Sequence, residues 1–107
     1  MTFNVILQPR AEADVERVTS WLARKKGHLA AAQWRAGVFN FVVKKLEYDP
    51  RRYPEADEAL EFGIDLRMML YRRWRHVYRV LFVVEGHDVN VLRICHASQD
   101  RLQADEI

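Results

Sequence analysis

Arginines concentrate in the part of this chain that is best suited to bind an anion. Five of them, with no carboxylate among them, fall between residues 67 and 79: Arg67, Arg72, Arg73, Arg75 and Arg79. A guanidinium stays charged and offers its donors in a planar fork that matches phosphate and carboxylate oxygens. Trp74 lies among them and could stack on a base, so this run, with Arg93, predicts a surface for nucleic acid or an acidic target. A solvated turn around an aromatic plug is the alternative.

Arg79 is the arginine with the sharpest chemical implication. It interrupts an otherwise apolar run, His76 to Val84. Burial of an unpaired guanidinium is costly, so Arg79 needs an anion. That anion is either a phosphate, whose extra transition-state charge Arg79 would stabilise, or a structural carboxylate such as Asp65 or Glu61. The sequence leaves both open.

Histidine provides the one candidate for general acid or base catalysis. His96 ends an apolar run and is followed by Asp100. An imidazole changes charge near neutral pH, so His96 could move a proton. The alternative is a polar strand end in which His96 and Asp100 tie down the tail. His28, His76 and His87 have the contexts of surface or turn histidines.

The sequence lacks the motifs of several common enzyme classes. It has no paired cysteines, no His-x-x-x-His pattern, no phosphate-binding glycine loop and no Gly-x-Ser-x-Gly elbow. We therefore expect no metal and no cofactor. Cys95 is the lone cysteine, and neither a signal peptide nor an apolar run of membrane-spanning length is apparent. We expect a cytoplasmic protein without a membrane contact.

Hydrophobic periodicity predicts the elements that must position these residues. A short strand, Phe3 to Leu7, precedes two helices at about Arg10 to Lys26 and Leu29 to Tyr48. A loop, Asp49 to Gly63, with room for a helical turn around Glu58 to Phe62, then leads to the last part of the chain. There we predict strands at Asp65 to Tyr71, His76 to Val84 and Val89 to His96, a four-residue hairpin loop at Glu85 to Asp88, and a short tail helix from Ser98 through Ala104.

The element order β-α-α-β-β-β predicts an α+β fold of two layers in one domain, residues 1–107. Short connections make the last three strands an antiparallel meander, and the helical hairpin covers one face of that sheet. The other face should be open unless a partner covers it. From the strand His76 to Val84 that face receives four residues: Val77, Arg79, Leu81 and Val83. This predicts a groove for a bound chain.

Six short motifs in a fixed order resemble the RelE/ParE superfamily of toxins of bacterial type II toxin–antitoxin systems. They are Pro9-x-Ala11-x-x-Asp14, Ala31-Ala32, Leu46-x-x-x-Pro50, Leu66-Arg67, Tyr78-Arg79-Val80-Leu81-Phe82 and Val91-Leu92-Arg93-Ile94-x-His96-x-x-x-Asp100. The resemblance covers nearly the whole chain. It implies the RelE-like β-α-α-β-β-β fold and a growth-inhibiting toxin that a cognate antitoxin neutralises in a hetero-oligomer. The antitoxin would lie in the predicted groove.

The resemblance leaves two targets. ParE-like members inhibit DNA gyrase, whereas RelE-like members cut mRNA on the ribosome without a metal. Arg79 matches the arginine of the family's Tyr-Arg-Val strand, but no tyrosine follows Tyr78, and His96 would have to substitute for it. Arg79 and His96 are catalytic only in the nuclease interpretation. We therefore predict a ParE-like gyrase inhibitor, with a metal-independent mRNA endonuclease second and a non-toxic binding module on the same scaffold third.

Overall fold

The structure, a computed structural model, describes residues 2–73, 75–98 and 101–107. In chain order it has β1 (Asn4–Leu7), α1 (Pro9–Lys26), α2 (His28–Leu46), a 3-10 turn (Pro50–Arg52), α3 (Ala59–Phe62), β2 (Arg67–Arg73), β3 (His76–Glu85), β4 (Asp88–His96) and a second 3-10 turn (Ala104–Glu106). The predicted order and the two-layer α+β class are confirmed.

Two long helices form the hairpin because the sequence starts and stops them sharply. Pro9 occupies the first position of α1, where its fixed φ suits a helix and its missing N–H is not needed. Three cations in the last turn, Arg24 to Lys26, oppose the negative end of the helix dipole. Gly27 adopts a φ of 94°, which favours glycine, and it is the sole residue between α1 and α2.

The four strands form one sheet in the order β1-β4-β3-β2. The predicted antiparallel meander of β2, β3 and β4 is confirmed. In contrast to a wholly antiparallel sheet, β1 joins β4 in parallel, from Asn4↔Asp88 to Leu7↔Val91, so the sheet is mixed. The chain leaves β1 at one edge of the sheet, and after the helical hairpin it enters β2 at the opposite edge. The meander from β2 through β3 then places β4 next to β1.

The helices cover the face of the sheet that carries Tyr78, Val80 and Phe82. α2 contributes an apolar stripe at helical spacing, with Trp34 and Val38 almost wholly buried. The Trp34 and Tyr78 rings lie 5.6 Å apart between centroids at an interplanar angle of 59°, a favourable tilted contact. This face holds the larger core.

The expectation that the second face of the sheet is open is wrong for its centre. Leu81 is fully buried there in a smaller core that also contains Ala59 and Leu102. The segment predicted as a loop folds over the sheet through α3, and the C-terminal tail supplies Leu102. These short segments bury apolar surface that would otherwise contact water, so no partner is needed to cover the centre of this face.

Two local predictions differ from the structure. The β3–β4 loop is shorter than predicted, since both strands extend into it and leave Gly86, with φ of 60°, and His87 to make the turn. The tail turn lies at Ala104–Glu106 instead of starting at Ser98, and residues 99 and 100 lie outside the described residues.

Candidate functional site

Arg79 is held by a carboxylate on the second face of the sheet. Its two terminal nitrogens donate to the two carboxylate oxygens of Glu58, each at 2.9 Å. The predicted need for an anion is therefore met within the chain, although by Glu58 instead of Asp65 or Glu61. Glu58 directly precedes α3, so the pair attaches this short helix to β3. The main-chain N–H of Leu102 also donates to Glu58, at 3.1 Å, which fastens the tail to the same point.

Glu58 is fully buried and ionised. The hydrogen bonds from Arg79 lower the pKa of Glu58 from 4.5 to about 2 despite the opposing effect of burial. The same contact raises the pKa of Arg79 above its ordinary value. Both groups therefore carry full charge near neutral pH, and the pair acts as a buried clamp between three segments of the chain.

A second buried carboxylate holds Arg93. Asp14 of α1 accepts from Arg93 Nε at 2.8 Å and from Arg93 Nη2 at 2.9 Å, and Arg17 donates to it at 3.1 Å. The main-chain N–H of Ile94 also donates to Asp14, at 2.8 Å. The pairing of β4 with β1 ends before Ile94, so this main-chain N–H has no partner strand at that edge. Asp14 accepts its hydrogen bond instead. Arg93 in turn donates to the main-chain carbonyl of Glu106 in the tail.

The predicted basic patch does not form one surface. Arg67 lies partly buried at the start of β2, where it donates to the main-chain carbonyls of Arg51 and Tyr53, each at 2.8 Å, and contacts Asp65 at 3.3 Å. Arg73 is half-buried on the helix side, against Gly37 of α2.

Successive residues of a strand point to opposite faces, which separates the arginines that are neighbours in sequence. Arg72 is exposed on the second face of β2, and Arg75 is exposed in the turn that follows. Arg79 and Arg93 are buried in the ion pairs described above. Trp74, the aromatic residue of the predicted patch, lies outside the described residues.

The predicted groove is partly occupied by the chain itself. Leu81 is buried beneath its smaller core and Arg79 is paired with Glu58. Val77 and Val83 are half-buried at the two ends of the same face. Exposed apolar residues lie around the covering segment, and Leu60 of α3 is the most exposed of them at 94%.

His96 lies in a hydrogen-bonded chain that the sequence did not reveal. Its Nδ1 accepts from the main-chain N–H of Ser98 at 3.1 Å, and its Nε2 lies 3.2 Å from Nδ1 of His76. With both residues neutral, His96 therefore carries its proton on Nε2 and donates it to His76, whose own proton is then on Nε2. The sequence context of His76 is that of a surface or turn residue, but the ends of two antiparallel neighbouring strands place it beside His96.

These histidines border a cleft between α1 and the end of the sheet. One hollow of about 330 Å³ is lined by Arg17, Val18, Trp21, His76, Tyr78, Ile94, Cys95 and His96. A second hollow of about 610 Å³ is lined by Lys26, Ala30, Arg75 and His76. His76 lines both hollows, so they are neighbours, and the two together are called the cleft below. Trp21 and Lys26, which also line it, carry no sequence signal of a site.

The described ranges hold no cluster of three His, Cys, Asp or Glu side chains that would suit a metal ion. Cys95 is buried, and burial raises the pKa of its thiol, which favours the unreactive protonated form. No helix in these ranges combines the length and apolar character needed to cross a bilayer.

Comparison with known proteins gives one family and one fold. The model of the ParE toxin of the type II toxin–antitoxin system parDE matches residues 5–101. No curated protein matches the chain significantly. Among solved structures, a chain of the chromosomal ParDE toxin–antitoxin system from P. aeruginosa superposes with a TM-score of 0.71, covering 88% of this chain and 95% of that chain at 18% identity. That likeness establishes the shared fold, and the family match covers most of the chain: the protein belongs to the ParE toxin family of type II toxin–antitoxin systems.

Proposed function

We propose that this protein inhibits DNA gyrase in the cytoplasm and is neutralised by a cognate antitoxin. The observation that carries the proposal is the match of residues 5–101 to the ParE toxin family. The target within that family is the inference, because a fold accommodates many functions and a family assignment fixes no binding surface.

The environment of Arg79 supports gyrase inhibition over RNA cleavage. A catalytic arginine must offer donors to the charge that develops on the phosphate. Both terminal nitrogens of Arg79 are already bonded to Glu58, and the residue is 8% exposed. Arg79 therefore holds α3 on the sheet instead of facing a substrate.

The nuclease remains the second candidate because of the histidine pair. His96 has both ring nitrogens engaged, but its bond to His76 could pass a proton to the cleft, where Arg75 supplies a cation. In that case His76, next to the second hollow, would be the residue that contacts RNA.

Two assays on the purified protein separate these candidates. We expect it to block supercoiling of plasmid DNA by gyrase and to leave ribosome-bound mRNA intact. Cleavage of translated mRNA in the absence of divalent metal, lost in His96→Ala, would overturn the proposal. His87→Ala is the matched control, since His87 lies in the β3–β4 turn at the other end of these strands. Inactivity in both assays, together with harmless overexpression, would leave the non-toxic binding module.

The antitoxin is proposed to lie on the second face of the sheet. Leu60 of α3, at 94%, and Leu70 of β2, at 38%, are exposed there, and Arg72 provides a cation on the same side of β2. An antitoxin segment with apolar side chains and carboxylates would complement these residues. Such a complex is a hetero-oligomer of toxin and antitoxin.

Hydrogen exchange in the presence of the antitoxin tests this surface. We expect new protection in β2 and in residues 54–63, with little change in the helical hairpin. Protection confined to α1 and α2 would show that the antitoxin binds elsewhere. Leu60→Ser should weaken the complex, whereas Leu29→Ser, at a similarly exposed leucine at the start of α2, should not.

A further inference from the structure

We propose that the cleft between α1 and the β2–β3 turn binds a single strand of nucleic acid, with an unpaired base against Trp21 and phosphates beside Arg75 and Lys26. This inference goes beyond gyrase inhibition, since it concerns a ligand bound by the toxin alone and a different surface from the second face of the sheet, where the antitoxin is proposed to lie. It rests on the shape, the charge and the exposed aromatic residue of the cleft.

The smaller hollow has the walls that an unpaired base requires. Trp21 lines it and leaves 43% of its surface exposed, although a tryptophan normally buries most of its area. Val18, Tyr78 and Ile94 complete apolar walls around about 330 Å³. Every base has a π-face, so stacking on an indole gives affinity without a sequence requirement.

The larger hollow provides the charge for the backbone of the strand. Lys26 ends α1 and Arg75 lies in the β2–β3 turn, and both line this hollow. Within the described part of the chain, neither lies within ion-pair distance of a carboxylate, and no Asp or Glu lines either hollow. Arg17, which lines the smaller hollow, is bonded to Asp14, so Lys26 and Arg75 are the cations of the cleft without a carboxylate partner among the described residues.

His76 lines both hollows. When both histidines are neutral, Nδ1 of His76 accepts from His96, and the Nε2–H of His76 can donate to a ligand oxygen or nitrogen. Trp21 lines only the smaller hollow, Lys26 and Arg75 line only the larger one, and His76 lines both. That arrangement matches base, sugar and phosphate in one nucleotide, and because both hollows open to solvent, a strand can continue beyond them.

Anisotropy of a labelled oligothymidylate of about ten nucleotides tests the cleft, measured with the intact protein over a range of salt concentrations. We expect Trp21→Ala to weaken binding roughly 5- to 150-fold, the range found for the loss of one stacked base. Trp21→Leu keeps the apolar bulk without the π-face and should show most of the same loss. Arg75→Gln and Lys26→Gln should each reduce the salt slope by about 0.7, the value for one lost phosphate contact.

Matched controls come from the opposite end of the helical hairpin. Lys44 and Tyr48 are exposed near the C-terminal end of α2, about 20 Å from the cleft along the helix. Lys44→Gln and Tyr48→Ala should leave both affinity and salt slope unchanged. Equal losses in these controls, or no binding at low salt, would overturn the proposal. Equal affinity for duplex DNA, or for a free mononucleotide, would overturn it as well, because the first hides its bases and the second has no strand.

Discussion

The two faces of the sheet are covered by different physical means, although α1 also makes one buried ion pair, Asp14 with Arg93. On one face the helices α1 and α2 bury a continuous apolar surface that includes Trp34, Val38 and Phe82. On the other face the cover is a four-residue helix and a tail, and the Arg79–Glu58 pair fixes both. Short segments bury too little apolar surface to hold themselves in place, so directional charged contacts supply the attachment that long helices obtain from packing.

The strongest test of this comparison removes the charge of Glu58. Glu58→Gln leaves the buried guanidinium of Arg79 without its anion, and we expect the free energy of unfolding to fall by about 3–5 kcal/mol. Urea denaturation measures this loss. The matched control is Glu16→Gln, since Glu16 pairs with Arg35 at 2.7 Å but both side chains are about half exposed. That change should cost less than about 1 kcal/mol.

A double replacement tests whether the unpaired guanidinium of Arg79 causes the loss of stability. Glu58→Gln combined with Arg79→Met removes the stranded charge, so we expect much of the lost free energy to return. If the double variant is no more stable than Glu58→Gln alone, the guanidinium was not the cause of the loss. Equal losses in Glu58→Gln and Glu16→Gln would contradict the contrast between the two faces altogether.

Acid should weaken the contacts of the second face before those of the helix-covered face. The loss of stability should be smaller than that caused by Glu58→Gln. The pKa of Glu58 is about 2 in the folded protein and 4.5 ordinarily, so the folded state favours the ionised form. Its contribution is fully present above the unfolded pKa and is lost as pH falls towards the folded pKa. We expect the loss to be on the order of 1 kcal/mol by about pH 4 and to grow below it.

Urea midpoints measured from neutral pH downwards test this dependence. Glu58→Gln has no carboxyl group at this position and should lack this part of the acid response. If both proteins lose stability in parallel between pH 4.5 and pH 2, the response comes from other carboxylates.

Much of the architecture follows from local patterns in the sequence. The helical stripe of Trp34 and Val38, the stop at Gly27 and the alternation along His76 to Val84 were sufficient to place the helices, the meander and the two faces of β3. The alternation also showed that Arg79 had to meet an anion. These features depend on the helix period of 3.6 residues and the strand period of 2 residues, which can be read directly from a sequence.

The candidate site was much less accessible to sequence analysis. The acidic residues before β2 are equivalent in sequence, and only the placement of α3 selects Glu58 for Arg79 over Asp65 or Glu61. The parallel addition of β1 beside β4 also lacks a local signal. It depends on how the helical hairpin returns the chain across the sheet.

The sequence by itself determined the element order, the face on which Arg79 lies and the membership of the chain in a toxin family. Only the tertiary structure decided which charges are paired within the chain. Asp14 and Arg93 are 79 residues apart in the chain, and Trp21 of α1 lines the same hollow as His96 of β4. Such contacts depend on packing distances and strand register, which no local period of the sequence encodes.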